Sequence, residues 1–204
     1  MPKTKTDKRS RLIQTAVKLA YRHGFRTTSL ADIAEAAKVP VGNVYYYFKT
    51  KDEIGEAIVE QRLLELRTLQ EQWDQRGSPK ERLLACIENT FENRDLLARG
   101  GCPVGTLCSE LHKEGGPLAK KATALFTELL GWIEDQFRAI GRGDASRNLA
   151  TQLLSSLQGV SVLAHGSGDP ELVAMEKPRA KRASVALKTI TPMIGMRSLM
   201  RSHT

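Results

Sequence analysis

The sequence predicts an all-α protein, with a three-helix head in residues 1–50 and a larger helical body in residues 51–204. Apolar residues recur at steps of three and four along most of the chain, which is the spacing of one face of an α-helix. Aromatic residues make up only 5% of the composition, and the alternation typical of strands is hard to find. A chain of 204 residues is long enough for a small domain joined to a larger one.

The first helix is predicted over residues 7–23. Its apolar stripe includes Leu12, Ala16 and Leu19, and Gly24 follows at the C-terminal capping position. We expect residues 1–6 to form a disordered basic arm.

Two short helices around a tight turn are predicted for residues 29–48. Ser29 caps the first of them, with Asp32 three places later. Pro40 ends it, because the residue before a proline is driven out of the α region. In the second helix, Val44, Tyr47 and Phe48 are predicted to face inward. The outward face is short, aromatic and polar, which suits a helix in the major groove of DNA. Its members are Val41, Asn43, Tyr45 and Tyr46.

A fourth helix is predicted from Lys51 to about Arg76. Thr50 and Glu53 form a full capping box at its start, and Gly77-Ser78-Pro79 breaks it. Its length would join the head to the body.

All the excess positive charge of the chain lies in residues 1–51. That segment has 11 basic and 3 acidic residues, a net charge of +8, and the remainder has 20 of each. Together with the two short helices, this distribution favours a surface that faces phosphates.

Residues 28–53, TSLADIAEAAKVPVGNVYYYFKTKDE, resemble the DNA-binding helix-turn-helix of TetR-family transcriptional regulators, and the resemblance extends over roughly residues 8–68. The sequence departs from the commonest family residues at Pro40, Asn43 and Tyr46. These departures concern which operator sequence is recognised, and not whether the protein binds DNA. The resemblance implies a homodimer on a palindromic operator, and contacts to bases or phosphates by Thr28, Ser29, Val41, Gly42, Asn43, Tyr45, Tyr46, Lys49 and Lys51. Gly42 either lets the backbone approach DNA closely or avoids a clash within the head.

The body is predicted to contain helices from Pro79 to about Gly100, from 117 to 140 and from 145 to 165, and a last helical region after Pro170. A short helix follows Gly101-Cys102-Pro103-Val104-Gly105, which is similar to the corresponding stretch of the LmrA/YxaF-like subgroup of TetR regulators. Pro178 predicts a kink or break in the last region.

The resemblance implies that the body binds a small, largely apolar effector and dimerises through its last two helices. Helical spacing suggests an effector pocket lined by Phe91, Leu107, Leu111, Phe126, Leu129 and Trp132.

Cys102, Cys108 and His112 leave three interpretations open. They can be small core residues, a thiol switch that answers oxidants or electrophiles, or part of a metal site. Neither special role has a visible fourth ligand or basic neighbour in the sequence, so core residues are preferred and no metal or cofactor is predicted.

The sequence does not favour an enzyme or a membrane protein. It contains no nucleophile elbow, phosphate-binding glycine loop, dinucleotide fingerprint or zinc-protease motif. Ser161 and His165 lie one helical turn apart, but no orienting acid is identifiable. With no secretory signal and no apolar run of transmembrane length, we expect a soluble cytoplasmic protein.

Overall fold

A computed structural model describes residues 5–185, and within that range the chain forms ten α-helices, one short 3-10 helix and no strand. The all-α prediction is therefore confirmed. The helices are α1 Lys5–His23, α2 Leu30–Ala36, α3 Val41–Tyr47, α4 Lys51–Asp74, α5 Pro79–Glu92, α6 Arg94–Gly100, α7 Pro103–Glu114, α8 Gly116–Ala139, α9 Ser146–Ser167 and α10 Glu171–Val185.

The head is built from α1, α2 and α3. Gly24 has a φ of 89°, so the glycine predicted to end α1 does adopt the left-handed conformation. Lys5 and Thr6 lie within α1, so that part of the predicted basic arm is helical, while residues 1–4 lie outside the described range.

The N-terminal cap of α2 follows the prediction, whereas its C-terminal end does not depend on Pro40. The Ser29 hydroxyl accepts from the Asp32 backbone N–H, and the Asp32 carboxylate accepts from the Ser29 N–H at 2.7 Å. Beyond Ala37, Lys38 has a φ of 53°, a left-handed conformation that ends α2 before Pro40 is reached.

The capping box predicted for α4 is half right. The Thr50 hydroxyl accepts from the Glu53 N–H, as expected. The Glu53 carboxylate, however, accepts from the N–H of Lys49 at 2.7 Å. It therefore reaches one residue further back than the prediction and fastens the last residues of the head.

The single helix predicted up to Gly100 is divided. Helix α5 ends at Glu92, and Asn93 has φ −96° and ψ 16°, outside the helical range. The Asn93 side chain donates to the Asn89 carbonyl at 2.7 Å, which satisfies a group at the open end of α5. Helix α6 then begins at Arg94 as a separate element, and its Leu97 joins the same core cluster as Phe91 of α5.

The last region continues further than Pro178 suggested. Helix α10 runs through Pro178 without a break. The predicted apolar positions Leu187, Ile190 and Ile194 and the tail 195–204 lie outside the described residues.

Two apolar clusters form the core. The first joins the head to α4, α7 and α8, and includes Phe25, Phe48, Ile58 and Leu111. The second fills the body between α5, α8, α9 and α10. Phe126 packs against both clusters. Head and body thus share apolar packing across the predicted boundary at residue 50.

A carboxylate also fastens the head to the body. Glu110, on α7, accepts from the backbone N–H groups of Phe25 at 2.8 Å and Arg26 at 2.6 Å. These bonds join residues about 85 positions apart in the chain, so α7 is held directly against the turn that follows α1.

Candidate nucleic-acid interface and ligand cavity

Helix α3 is oriented by two buried residues. Val44 and Phe48 are buried in the first core cluster, and Tyr47 packs against it. The opposite side of this seven-residue helix is consequently open, and it leaves Tyr45 50% exposed and Tyr46 59% exposed. Together with Val41, which is 44% exposed, they give this short helix an exposed aromatic and apolar surface.

Most of the predicted DNA-contacting residues are accessible at the surface of the head. The exposed members of that set are Ser29, Val41, Gly42, Tyr45, Tyr46 and Lys49. Asn43 and Lys51 are half-buried, and Thr28 is buried.

Several of these residues have partners inside the head, among them Tyr46, whose ring lies 5.0 Å from that of Tyr47. The Thr28 hydroxyl donates to the Gly24 carbonyl at 2.8 Å. The Ser29 hydroxyl donates to Asp32 at 2.7 Å, and hydrogen bonds from Ser29 lower the pKa of the Asp32 carboxyl. The Lys51 ammonium donates to the Arg26 carbonyl and lies 5.0 Å from the Phe25 ring centroid. Thr28 and Lys51 therefore hold the head together in this structure.

Gly42 has open space around it. A Cβ atom added at this position would meet no heavy atom within 4 Å. The interpretation that Gly42 avoids a clash within the head thus has no support, and close approach of the backbone to another molecule is favoured.

A cavity of about 450 Å³ lies in the body beside the head. Its size is within the range of small-molecule sites, and its wall is mainly apolar with a few polar side chains. The lining residues are Tyr21 from α1; Arg62, Glu65, Leu66, Leu69 and Trp73 from α4; Cys86, Asn89, Thr90, Asn93, Leu96 and Leu97 from the α5–α6 region; Cys102, Pro103 and Val104 at the start of α7; Leu129 from α8; and Leu154, Leu157, Gln158 and Ser161 from α9.

Of the six residues suggested for a pocket, Leu129 lines this cavity. Leu107 and Leu111 belong to the core shared with the head, and Phe91 to the core of the body. Phe126 packs between the two clusters. The Trp132 ring lies 5.1 Å from that of Trp73, and its N–H donates to Asp74 at 3.2 Å.

Sequence reasoning missed the contribution of α4. Arg62, Leu66, Leu69 and Trp73 recur at steps of three and four and form one wall of the cavity. That periodicity was visible in the sequence, but it does not distinguish a face that lines a cavity from a face that packs in a core.

Tyr21 joins the cavity to the head. Its hydroxyl lies 2.8 Å from the Leu96 carbonyl and 3.0 Å from the Gly101 carbonyl, and its single proton serves one of them at a time. Burial is the main cause that raises the pKa of this phenol. Tyr21 is the only residue of the predicted head among the lining residues.

The cysteines differ in environment. Cys86 and Cys102 line the cavity, whereas Cys108 is buried and donates to the Ala122 carbonyl at 3.3 Å. Burial raises the pKa of the Cys86 thiol to about 12 and is the main cause that raises that of Cys108 to about 11. Such thiols hold little of the reactive thiolate at neutral pH.

A disulfide between Cys102 and Cys108 does not suit this fold. Cys102 caps α7 and Cys108 lies within it, so six residues of helix rise, about 9 Å, separate them. A disulfide needs Cα atoms within about 7 Å, so the first turns of α7 would have to unwind. The cavity therefore offers a better-supported sensing element than a Cys102–Cys108 switch.

The remaining candidates for chemistry have structural partners. His112 contacts the Cys108 carbonyl at 2.9 Å and the Thr123 hydroxyl at 3.2 Å. Ser161 donates to the Leu157 carbonyl, and His165 lies 3.3 Å from that of Ala98. Across residues 5–185, no three His, Cys, Asp or Glu side chains gather where they could hold a metal. None of the described helices has the length and apolar character required to cross a membrane.

One comparison concerns the head and the start of α4. The family model of bacterial regulatory proteins of the tetR family matches residues 12–58, which include α2, α3 and the start of α4. The transcriptional repressor NemR of Escherichia coli K12 is 33% identical over 118 residues, which are 54% of this chain and 55% of NemR. The match thus spans about half the length of that relative.

Two further similarities extend over more of the body. The uncharacterized transcriptional regulator YxaF of Bacillus subtilis is 27% identical over 150 residues, covering 66% of this chain and 78% of YxaF. A TetR transcriptional regulator of Legionella pneumophila has a crystal structure that matches 85% of this chain and 95% of its own, with a TM-score of 0.76 and 20% identity. The latter similarity concerns the fold alone.

Proposed function

Because this chain belongs to the TetR family of bacterial transcriptional regulators, we propose that it is a repressor which a small ligand releases from a palindromic operator. In this proposal the protein binds DNA as a homodimer, with one α3 helix in each half-site. The ligand binds the cavity of the body. No catalytic step is part of the proposal.

The observation that carries the proposal is the exposed face of α3. Tyr45, Tyr46 and Val41 are exposed on a helix whose opposite side packs into the core through Val44, with Phe48 buried just after its end. A face that is useful in the major groove must stay open in the free protein, which supports direct contact with base edges or neighbouring phosphates. The net charge of +8 in residues 1–51 supports the same surface.

The cavity supports the ligand part of the proposal. It is large enough for a small organic molecule, and its walls come from α4 to α9 and from α1. A ligand there would touch both α4, which carries the head, and Tyr21 of the head itself. Ligand binding would therefore change the position of α3 relative to the body.

The dimer part rests on α9 and α10. Val162 on α9 is 70% exposed and Met175 on α10 is 76% exposed, and Leu163 is exposed beside Val162. Large apolar side chains on the outer faces of two neighbouring helices favour burial against a second copy.

Release would follow from a shift between two conformations. A ligand that binds the form with wrongly spaced heads more tightly shifts the population toward that form. A coupling free energy of about 1 to 3 kcal/mol would weaken operator binding by roughly 5- to 150-fold.

The test is DNA binding by the purified protein. Fluorescence anisotropy at fixed salt would compare the DNA upstream of its own gene and neighbouring genes with random DNA of equal length. We expect specific binding that at least one apolar compound from a panel reverses. Equal affinity for both DNAs would overturn the operator assignment, and specific binding that only an oxidant reverses would favour a thiol switch.

A further inference from the structure

We propose that the effector is an anionic amphiphile, with an apolar body and a carboxylate or similar anion, and that Arg62 binds the anion. This inference rests on the proposed function, since it names the chemical class of ligand for the same cavity. It comes from a comparison of the two charged side chains of the lining. Arg62 has unused hydrogen-bond donors and is more shielded from water, whereas the Glu65 oxygens already accept hydrogen bonds.

Glu65 already has its hydrogen bonds. One of its oxygens accepts from Arg62 Nη1 at 2.7 Å, and the other accepts from Gln61 Nε2 at 3.3 Å. A ligand cation at this carboxylate would have to share oxygens that are already in use. It would also stand beside the guanidinium of Arg62, which repels it.

Arg62 has hydrogen-bonding capacity to spare. A guanidinium has five N–H groups, and in the described part of the chain only Nη1 of Arg62 has a protein acceptor. Its Nε and Nη2 groups are therefore available to a ligand. These two nitrogens lie on one edge of the planar group, which can present parallel N–H bonds to a carboxylate.

The two side chains also differ in exposure. The Arg62 side chain is 17% exposed and that of Glu65 is 41% exposed, so Glu65 is closer to bulk water. The Arg62 guanidinium lies over the Tyr21 ring, 5.8 Å from its centroid. A cation that is shielded in this way gains more from a bound anion than a fully hydrated one does.

The rest of the lining suits the other parts of such a ligand. Arg62 and Glu65 are its only charged residues, and Leu66, Leu69 and Trp73 extend from Arg62 along the same helix. An apolar body can lie along this wall while the anion stays at Arg62. The Asn89 amide N–H₂, also in the lining, has no acceptor within residues 5–185 and can add a hydrogen bond.

The placement of the anion has a consequence for signalling. Because Arg62 packs on Tyr21, an anion bound to Arg62 stands next to a side chain of α1. A movement of Arg62 away from the Tyr21 ring changes a contact between head and body.

The experiment compares matched ligands that differ only in the head group. Titration calorimetry with the full chain would measure the affinity for decanoate, decan-1-ol and decylamine, each below its micellar concentration. A second series would compare 4-phenylbutanoate with the alcohol and the amine that have the same phenylbutyl body. We expect at least one carboxylate to bind about 10- to 150-fold more tightly than its alcohol, the range for a hydrogen bond to a charged group, and its amine to bind most weakly. Carboxylates that bind no better than the alcohols in both series would overturn the proposal.

Variants test whether the preference for a carboxylate over an alcohol or an amine depends on Arg62. Arg62→Gln should abolish the preference for the carboxylate, and Arg62→Lys should retain part of it because the charge remains. Arg67→Gln is the matched control, since Arg67 is on the same helix and pairs with Glu128 outside the cavity. Thermal unfolding without ligand shows whether each variant is folded. A preference that survives Arg62→Gln would overturn the role of Arg62.

The outcome is separable from the proposed function. Alcohols or amines that bind the cavity and release operator DNA would overturn the anionic class and leave a ligand-released repressor intact. If the protein without ligand shows no specific DNA binding, the proposed function is contradicted, whichever class of ligand the cavity binds best.

Discussion

The carboxylate of Glu110 and the backbone N–H of Phe25 lie 2.8 Å apart, which joins α7 to the turn after α1. The second carboxylate oxygen of Glu110 accepts from the backbone N–H of Arg26 at 2.6 Å. The same helix begins at the cavity, where Pro103 and Val104 are part of the wall. One rigid element therefore touches both the ligand site and the DNA-binding head.

Replacing Glu110 should loosen this connection. We expect Glu110→Ala to lower the free energy of unfolding by about 1 to 3 kcal/mol, because two backbone N–H groups lose a charged acceptor. It should also reduce the factor by which an effector weakens operator binding. Denaturant unfolding and anisotropy with and without ligand measure the two effects. Glu114→Ala, at an exposed position at the end of α7, should change neither.

Tyr45 should contribute to sequence discrimination. We expect Tyr45→Ala to weaken operator binding by about 1 to 3 kcal/mol and to leave affinity for random DNA nearly unchanged. The exposed Leu64 of α4 provides a control of similar exposure, and Leu64→Ala should leave both affinities unchanged. Equal loss on operator and random DNA would contradict a base-reading role for Tyr45.

Lys49 should act through phosphates instead. It is exposed, so Lys49→Ala should weaken operator and random DNA to a similar extent. The slope of log affinity against log salt concentration should fall by about 1 per subunit. An unchanged slope would remove Lys49 from the interface.

The packing of α4 against the head should make Gly55 sensitive to substitution. A Cβ at Gly55 would lie 2.6 Å from Leu118 Cδ2 and 2.8 Å from Phe25 Cζ. Gly55→Ala should therefore cost about 1 to 3 kcal/mol of unfolding free energy through overpacking. Gly131→Ala, within α8 with no atom near its added Cβ, should be stabilising by up to about 1 kcal/mol. Denaturant titrations of both variants provide the comparison.

The exposed face of α9 should control oligomeric state. A charge at Leu163, which is mostly exposed, should oppose burial against a second copy. We expect wild type to sediment as a dimer at micromolar concentration and Leu163→Glu to shift toward monomer. Leu64→Glu adds the same charge on α4 and should remain dimeric. A wild-type monomer would contradict the proposed dimer.

The buried thiols predict an alkaline loss of stability. Burial raises the pKa of Cys86 from 9.0 to about 12, so the folded state favours the neutral thiol. This contribution is complete below pH 9, where the thiol of the unfolded chain is also neutral, and it is lost as the pH rises toward 12. The melting temperature should fall over that window less steeply in Cys86→Ala than in wild type. Identical slopes would contradict the burial effect.

Local signals made the head predictable. The Ser29–Asp32 capping pair, the left-handed Gly24 and the inward positions Val44 and Phe48 depend on residues within a few places of each other. The break at Asn93 was missed although the bond from its side chain to the Asn89 carbonyl is local, and Pro178 was expected to disturb a helix that continues through it. The Glu53 carboxylate accepts from the N–H of Lys49 and not from that of Thr50. The sequence pattern does not distinguish these two adjacent donors.

The cavity was the least predictable part. Apolar positions on α4 and α8 have the same spacing whether they face a core or an open space, so Leu129 was identified and Leu66, Leu69 and Trp73 were not. The importance of Arg62 depends on which of its nitrogens have acceptors. That information exists only once the chain is folded.

The contacts between head and body differ in how much they depend on side chains of the head. Glu110 binds backbone N–H groups, which any residue other than proline at positions 25 and 26 would supply. Tyr21 contributes a ring and a hydroxyl that few other residues can replace. A hybrid regulator that takes its operator preference from another head could therefore keep the ligand response of this body, provided that the transplanted segment keeps a tyrosine at position 21 and an apolar surface that fits α4, α7 and α8.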